Sequence, residues 1–224
     1  YPIAWPTVRA HNMAEEHGAI GLVSILNEYP EMGTLGYYAP YDGELRPMPA
    51  LYVLDKDGQR LVEQLQAETT SARLVLDAEV SPGGGTAWSV FGILPGKSDD
   101  IVMLHSHYDA PWQSAVEDAS GTAMVLGLAR YYAQMTADER EYTMVFFLGG
   151  SHMVGEPSNH AFMETHKDDI MSKLIVDIAI EHIADDFNPG GVSTGLAEPR
   201  GTFVFENPVL VSTLVKTVVK HDMY

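Results

Sequence analysis

An α/β fold, with helices packed on a mixed, mostly parallel sheet, is what the sequence predicts for the larger part of this chain. Three observations carry that expectation. From about residue 86 onward, apolar runs of strand length alternate with stretches of helical spacing. The runs 101–104, 143–148 and 174–180 are apolar almost throughout, as strands covered on both faces are. Polar residues able to bind a ligand follow each run, where open α/β sheets hold their ligands.

The elements are expected in the following order. Residues 1–80 read as a β-rich unit of short strands and turns around a few helical turns. Within it, 19–26 (AIGLVSIL) is a buried strand. Residues 30–49 carry Pro30, Gly33, Gly36, Pro40, Gly43, Pro47 and Pro49, which is loop chemistry. A strand at 50–54 and a short amphipathic helix at 57–65 follow, then an alternating stretch, 71–80, that reads as a strand. The run SPGGG at 81–85 is a linker or tight crossing. Residues 81–224 form the second unit. It has strands at 88–94, 101–104, 143–148 and 174–180 and helices at 120–135 and from 158 to 165. In the first of these helices Ala123, Met124, Leu126, Ala129, Tyr131 and Ala133 fall near helical spacing. A strand at 202–205 and a helix at 209–219 close the chain.

Composition narrows the function. The chain has 224 residues, 46% of them hydrophobic, enough to build a core. Its net charge of -18, from 13 basic and 31 acidic residues, argues against nucleic acid and anionic lipid as partners. Most of that acidity serves solubility; the remainder is available for metal. Without cysteine, disulfides and thiolate metal sites are excluded, so a metal must sit on carboxylates and on the nine histidines. No apolar run approaches the ~20 residues of a membrane span. The chain opens on Tyr1 rather than Met and reads as a candidate fragment, with an earlier segment missing and the second unit incomplete.

The candidate site lies at four strand or helix mouths. His107 and Asp109 follow the run 101–104. Glu117 and Asp118 open the helix at 120. His152 follows 143–148, and Glu181 with His182 follows 174–180. Zinc takes nitrogen and oxygen ligands from separate elements and keeps a position for water. A His-x-Asp unit suits this chemistry, because a carboxylate can hold a ligand imidazole in one tautomer.

The combination of His107-Tyr-Asp109, Glu117-Asp-Ala-Ser-Gly121 and the run MVFFLGG resembles the co-catalytic zinc aminopeptidase family. Glutamate carboxypeptidase, transferrin receptor and glutaminyl cyclase relatives belong to it. GAIGLVSIL with PALYVLDKDGQRLVEQL resembles the protease-associated domain that many members carry. The resemblance implies a zinc-peptidase-like α/β domain at 81–224 and a protease-associated-like domain at 1–80. It implies one or two zinc ions and hydrolysis of an amide bond in a peptide or small acylamino substrate, of aminopeptidase or carboxypeptidase type. Neither nucleic acid nor membrane is an expected partner, and a homo-oligomer is compatible.

Carried over by position, His107 matches the first metal-binding histidine and Asp109 the carboxylate that orients it. The bridging aspartate falls on Glu117, with Asp118 beside it as an alternative. The family's Glu-Glu pair, general base and then metal ligand, falls on Ser151-His152 or on His152-Met153, so both glutamates are gone. Glu181 matches the next acidic ligand, and nothing in 186–224 matches the last histidine well. His152 is the candidate replacement as ligand or base, with Glu156 a second candidate base. The alternative to an enzyme is a peptidase-like scaffold that has lost activity and binds a partner.

Overall fold

The computed structural model describes residues 4–26, 43–68, 70–77, 84–110, 115–183 and 207–222. Its elements run α1 Ala4–Glu16, β1 Leu22–Leu26, β2 Ala50–Leu54, α2 Asp55–Ala67, β3 Val90–Leu94, β4 Ser98–His107, α3 Gly121–Tyr132, β5 Tyr142–Gly149, α4 Pro157–Thr165, β6 Leu174–Ala179 and α5 Pro208–Lys220. Strands β1 and β2 pair in parallel as a sheet of their own. The other four order β3-β5-β4-β6, with β4 parallel to β5 and β6, and β3 antiparallel to β5. The predicted mixed, mostly parallel sheet is therefore present.

Side-chain alternation divides the core between the two faces of this sheet. Ile101 and Met103 of β4 join Val145 and Phe147 of β5 on one face, packed with Phe162 of α4 and Ile170. Leu104, Met144 and Phe146 point the other way and pack with Val125 of α3. Four consecutive residues of β5, Met144 to Phe147, are buried, which explains why that run carries no polar residue. Arg140 is buried as well. Its guanidinium donates to the carbonyls of Pro95 at 3.0 Å and of Tyr132 at 2.9 Å, tying the C-terminal end of α3 to the loop after β3.

Asp118 fixes the mouth of this sheet. Its side chain is fully shielded from solvent. One oxygen accepts from the Ser106 hydroxyl on β4. The other accepts the N–H of Gly121, at the start of α3, at 3.1 Å and the N–H of His182, after β6, at 3.1 Å. Three elements thus meet on one carboxylate. A side chain at Gly121 would collide with the Ile180 carbonyl and with this carboxylate, so only glycine fits there.

Several expectations need correction. A 13-residue helix, α1, was not foreseen, because its apolar residues are spread round the helix rather than gathered on one face. With α2 it gives 1–80 two 13-residue helices against two five-residue strands, so the described part is not β-rich. Residues 71–77 form no strand: Val75 and Leu76 stay exposed, so their alternation marks no buried face, and 78–80 lie outside the described residues. The expected strand at 202–205, residues 81–83 of the linker and most of the 30–49 loop also lie outside them. No helix among the described residues is long and apolar enough to cross a membrane.

Two substitutions test this architecture by urea unfolding. Phe147→Ala empties a site that is 3% exposed and should cost about 3–5 kcal/mol. Asp118→Ala leaves a hydroxyl and two N–H groups without their acceptor and should cost at least about 3 kcal/mol. Asp118→Asn should cost far less, since the Ser106 hydroxyl can turn to accept from the new amide. An Asp118→Ala protein within about 1 kcal/mol of the parent would contradict the anchoring role.

Candidate metal centre

The C-terminal ends of β4, β5 and β6 lie side by side, and β4, between the other two, ends in His107 opposite Gly149. The His107 imidazole is 3% exposed. Its Nδ1 lies 2.9 Å from the main-chain carbonyl of Asp109. A carbonyl can only accept, so the proton sits on Nδ1 and the Nε2 lone pair faces the site.

Asp109 works differently from the expectation. Its carboxylate is 3.8 Å from His107 Nδ1 and accepts instead from the main-chain N–H groups of His152 at 3.1 Å and Met153 at 3.0 Å. Asp109 therefore orients His107 through its main chain. Through its side chain it secures the single helical turn His152–Val154 at the mouth of β5.

The His152 ring stacks on that of His107, with centroids 4.0 Å apart and planes 12° apart. Its Nδ1 is 2.9 Å from Glu156 Oε1, which fixes the proton on Nδ1 and makes Nε2 the basic nitrogen here too. Burial works against a charged His152, but the Glu156 bond and the charges of Glu181, Glu156 and Glu117 outweigh it and raise its pKa. The Glu156 pKa falls, first because of the His152 bond. Its second oxygen accepts from Asn159 at 3.2 Å. With both oxygens engaged, Glu156 is placed to orient His152 rather than to take a proton from water. Glu156 holds this place in a left-handed conformation, φ 58°, directly after Gly155 at φ 84°. Such a conformation costs a non-glycine residue of order 1 kcal/mol, and sites of this kind often mark function.

Between Glu117 and Asp118, joined by a cis peptide bond, the geometry separates the two roles. Asp118 is committed to its three donors. Burial pushes its carboxyl pKa up, opposed by those hydrogen bonds. Glu117 Oε1 instead lies 3.5 Å from His107 Nε2, and ligand atoms of His107, Glu117 and His152 all fall within 4.8 Å of one another. Glu117 Oε1 and His107 Nε2 are buried, and neither has a hydrogen-bond partner among the described residues. Two buried acceptors facing each other need a cation or a proton between them. Their 3.5 Å spacing is close to the ~3.3 Å edge of a tetrahedral zinc shell with bonds of about 2.0 Å. These residues fit a divalent metal.

Glu181 stands apart from this three-residue group, though its charge helps raise the pKa of His105, His152 and His182. Ser151, at one of the two positions matched to the family's first glutamate, is 1% exposed. Its hydroxyl lies 2.6 Å from the Ser158 hydroxyl and accepts the Ser158 N–H at 2.9 Å. It anchors the start of α4. His182 was singled out only as a neighbour of Glu181, yet its Nε2 is 3.1 Å from Glu117 Oε2. That bond, the largest influence, raises the His182 pKa. For Glu117, burial opposes the charge, but His182 and the other two imidazoles prevail and lower its pKa. The signal for His182 was its place directly after β6.

Comparison with known proteins bears on the fold that carries these residues. Among solved structures, an aminopeptidase from Aneurinibacillus sp. strain AM-1 matches with a TM-score of 0.50 and 19% identity. The match covers 75% of this chain but only 41% of that enzyme, so it speaks for the fold. No curated protein matches the chain. Residues 89–170 match Peptidase family M28, a span that runs from just before β3 to just past α4 and holds His107, Glu117 and His152. The central sheet strands β3, β4 and β5 and the three convergent side chains thus fall within the span that matches Peptidase family M28.

Proposed function

We propose that this chain is part of a metal-dependent hydrolase of amide bonds, with one zinc ion held by His107, Glu117 and His152. The observation that carries this reading is the facing pair of buried acceptors, His107 Nε2 and Glu117 Oε1. When bound, zinc supplies Lewis-acid polarisation of the substrate carbonyl and acidification of a water. The chain's own part is to hold the ligands. The Asp109 carbonyl and the Glu156 carboxylate keep both imidazoles in the Nδ1–H tautomer. Two neutral imidazoles and one carboxylate leave a dication half its charge uncompensated, which lessens the need for a strong base where the family has a glutamate. Glu181 supports the site from outside the ligand set. The substrate class that fits the family is a peptide or a small acylamino compound. Residues 1–80 we assign to a protease-associated-type lobe, supported by their separate two-stranded sheet.

One observation favours the scaffold alternative: the Ser151 hydroxyl is spent on Ser158 and cannot replace a carboxylate base. Turnover decides between the two. Zinc-loaded protein incubated with aminoacyl and N-acylamino anilides should release the amine, and protein that holds zinc yet releases none is a scaffold.

The centre itself is tested by zinc per chain after dialysis. The parent should hold one ion, lost with a chelator and increasingly displaced by protons below about pH 6. His107→Ala, Glu117→Ala and His152→Ala should each retain little, while Glu181→Gln retains zinc. Full zinc in His107→Ala would refute the assignment.

A further inference from the structure

The resemblance places an aspartate where this chain has Glu117, and the extra methylene adds a rotatable bond to a ligand. A loose carboxylate makes a poor ligand, because its freedom is lost on binding. In this chain the arm is held at its far end. Glu117 Oε1 faces His107 Nε2 at 3.5 Å, while Oε2 lies 3.1 Å from His182 Nε2. The two oxygens are thus divided, one for the centre and one for His182.

The backbone of His182 is fixed by the neighbour of the residue that its ring touches. Its N–H donates to Asp118 Oδ1 at 3.1 Å, and it adopts φ 51°. Of the three non-glycine residues at positive φ among those described, two border this centre: Glu156, which holds His152, and His182, which meets Glu117. The segment after β6 is therefore linked twice to the Glu117–Asp118 pair, once through main chain and once through side chain.

We propose that His182 is a positioning residue that holds the Glu117 carboxylate in place as a metal ligand, compensating for its longer arm. His182 donates its Nε2 proton to Oε2 and so turns Oε1 toward the Nε2 atoms of His107 and His152. This rests on the metal centre proposed above. It adds a partner for Glu117 that matches what the Asp109 carbonyl does for His107 and Glu156 for His152. Each of the three ligands then has its own orienting group.

The test is zinc affinity, measured on the full chain by competition with a chromophoric chelator. His182→Ala should weaken binding about 10–100-fold, the usual effect of removing an outer-shell partner. His182→Gln, whose amide can donate to Oε2, should recover most of it. The Glu117→Ala/His182→Ala double variant should bind no more weakly than Glu117→Ala alone, because His182 acts through Glu117. The cobalt(II) absorption bands of His182→Gln should match those of the parent. Parent affinity in His182→Ala, additive losses in the double variant, or altered cobalt bands in His182→Gln would each overturn the proposal; the last would make His182 a ligand itself. Parent affinity in His107→Ala and His152→Ala would instead remove the centre. Should His182→Ala fail to fold, the glutamine variant and its cobalt spectrum still decide.

Discussion

The geometry of this site depends on one buried carboxylate whose oxygens are spent on hydrogen-bond donors. Asp118 is sealed from solvent, and an unpaired charge there would be costly. It is compensated by the Ser106 hydroxyl and the N–H groups of Gly121 and His182. Those donors belong to β4, to the first residue of α3 and to the segment beyond β6. Satisfying the charge therefore brings together the elements that carry His107, Glu117 and His182. Asp118 uses its oxygens for this and stays 3.9 Å from His107 Nε2, whereas Glu117 Oε1 approaches that nitrogen to 3.5 Å.

The same economy recurs around the ligands. Asp109 uses its carbonyl on His107 and its carboxylate on the N–H groups of His152 and Met153, so one residue sets the relation between the ends of β4 and β5. Glu156 accepts a left-handed backbone in exchange for reaching both His152 and Asn159. The imidazoles of His107 and His152 are thus each held by an orienting group, as imidazole metal sites generally require. His107, Glu117 and His152 all lie within the span that matches Peptidase family M28.

Much of this was legible in the sequence where a single physical pattern dominated. Apolar strand-length runs located β4, β5 and β6; for β5 the reason is burial, because a strand covered on both faces must be apolar, whereas no residue of β6 is buried. The residues directly after them located His107, His152 and the 181–182 pair. What stayed hidden was set by tertiary contact. Helix α1 spreads its apolar residues round its circumference and so marks no face, and its buried His11 is held by the distant carbonyl of Met48 at 2.9 Å. The alternation at 71–77 resembled a strand, but pairing needs a neighbouring edge, which sequence does not report. The division of labour between Glu117 and Asp118 turned on donors 3 to 64 positions away, and so did the place of His182. Spacing from Ser120 pointed to Glu117, while residue type kept Asp118 open as an alternative.

The central claim is that two imidazoles and the Glu117 carboxylate converge on one metal ion. X-ray absorption at the zinc edge of the zinc-loaded chain tests it most directly. The account predicts a nitrogen and oxygen shell at about 2.0–2.1 Å with outer-shell scattering from two imidazole rings. A shell of carboxylate and water oxygens, without imidazole scattering, would contradict it.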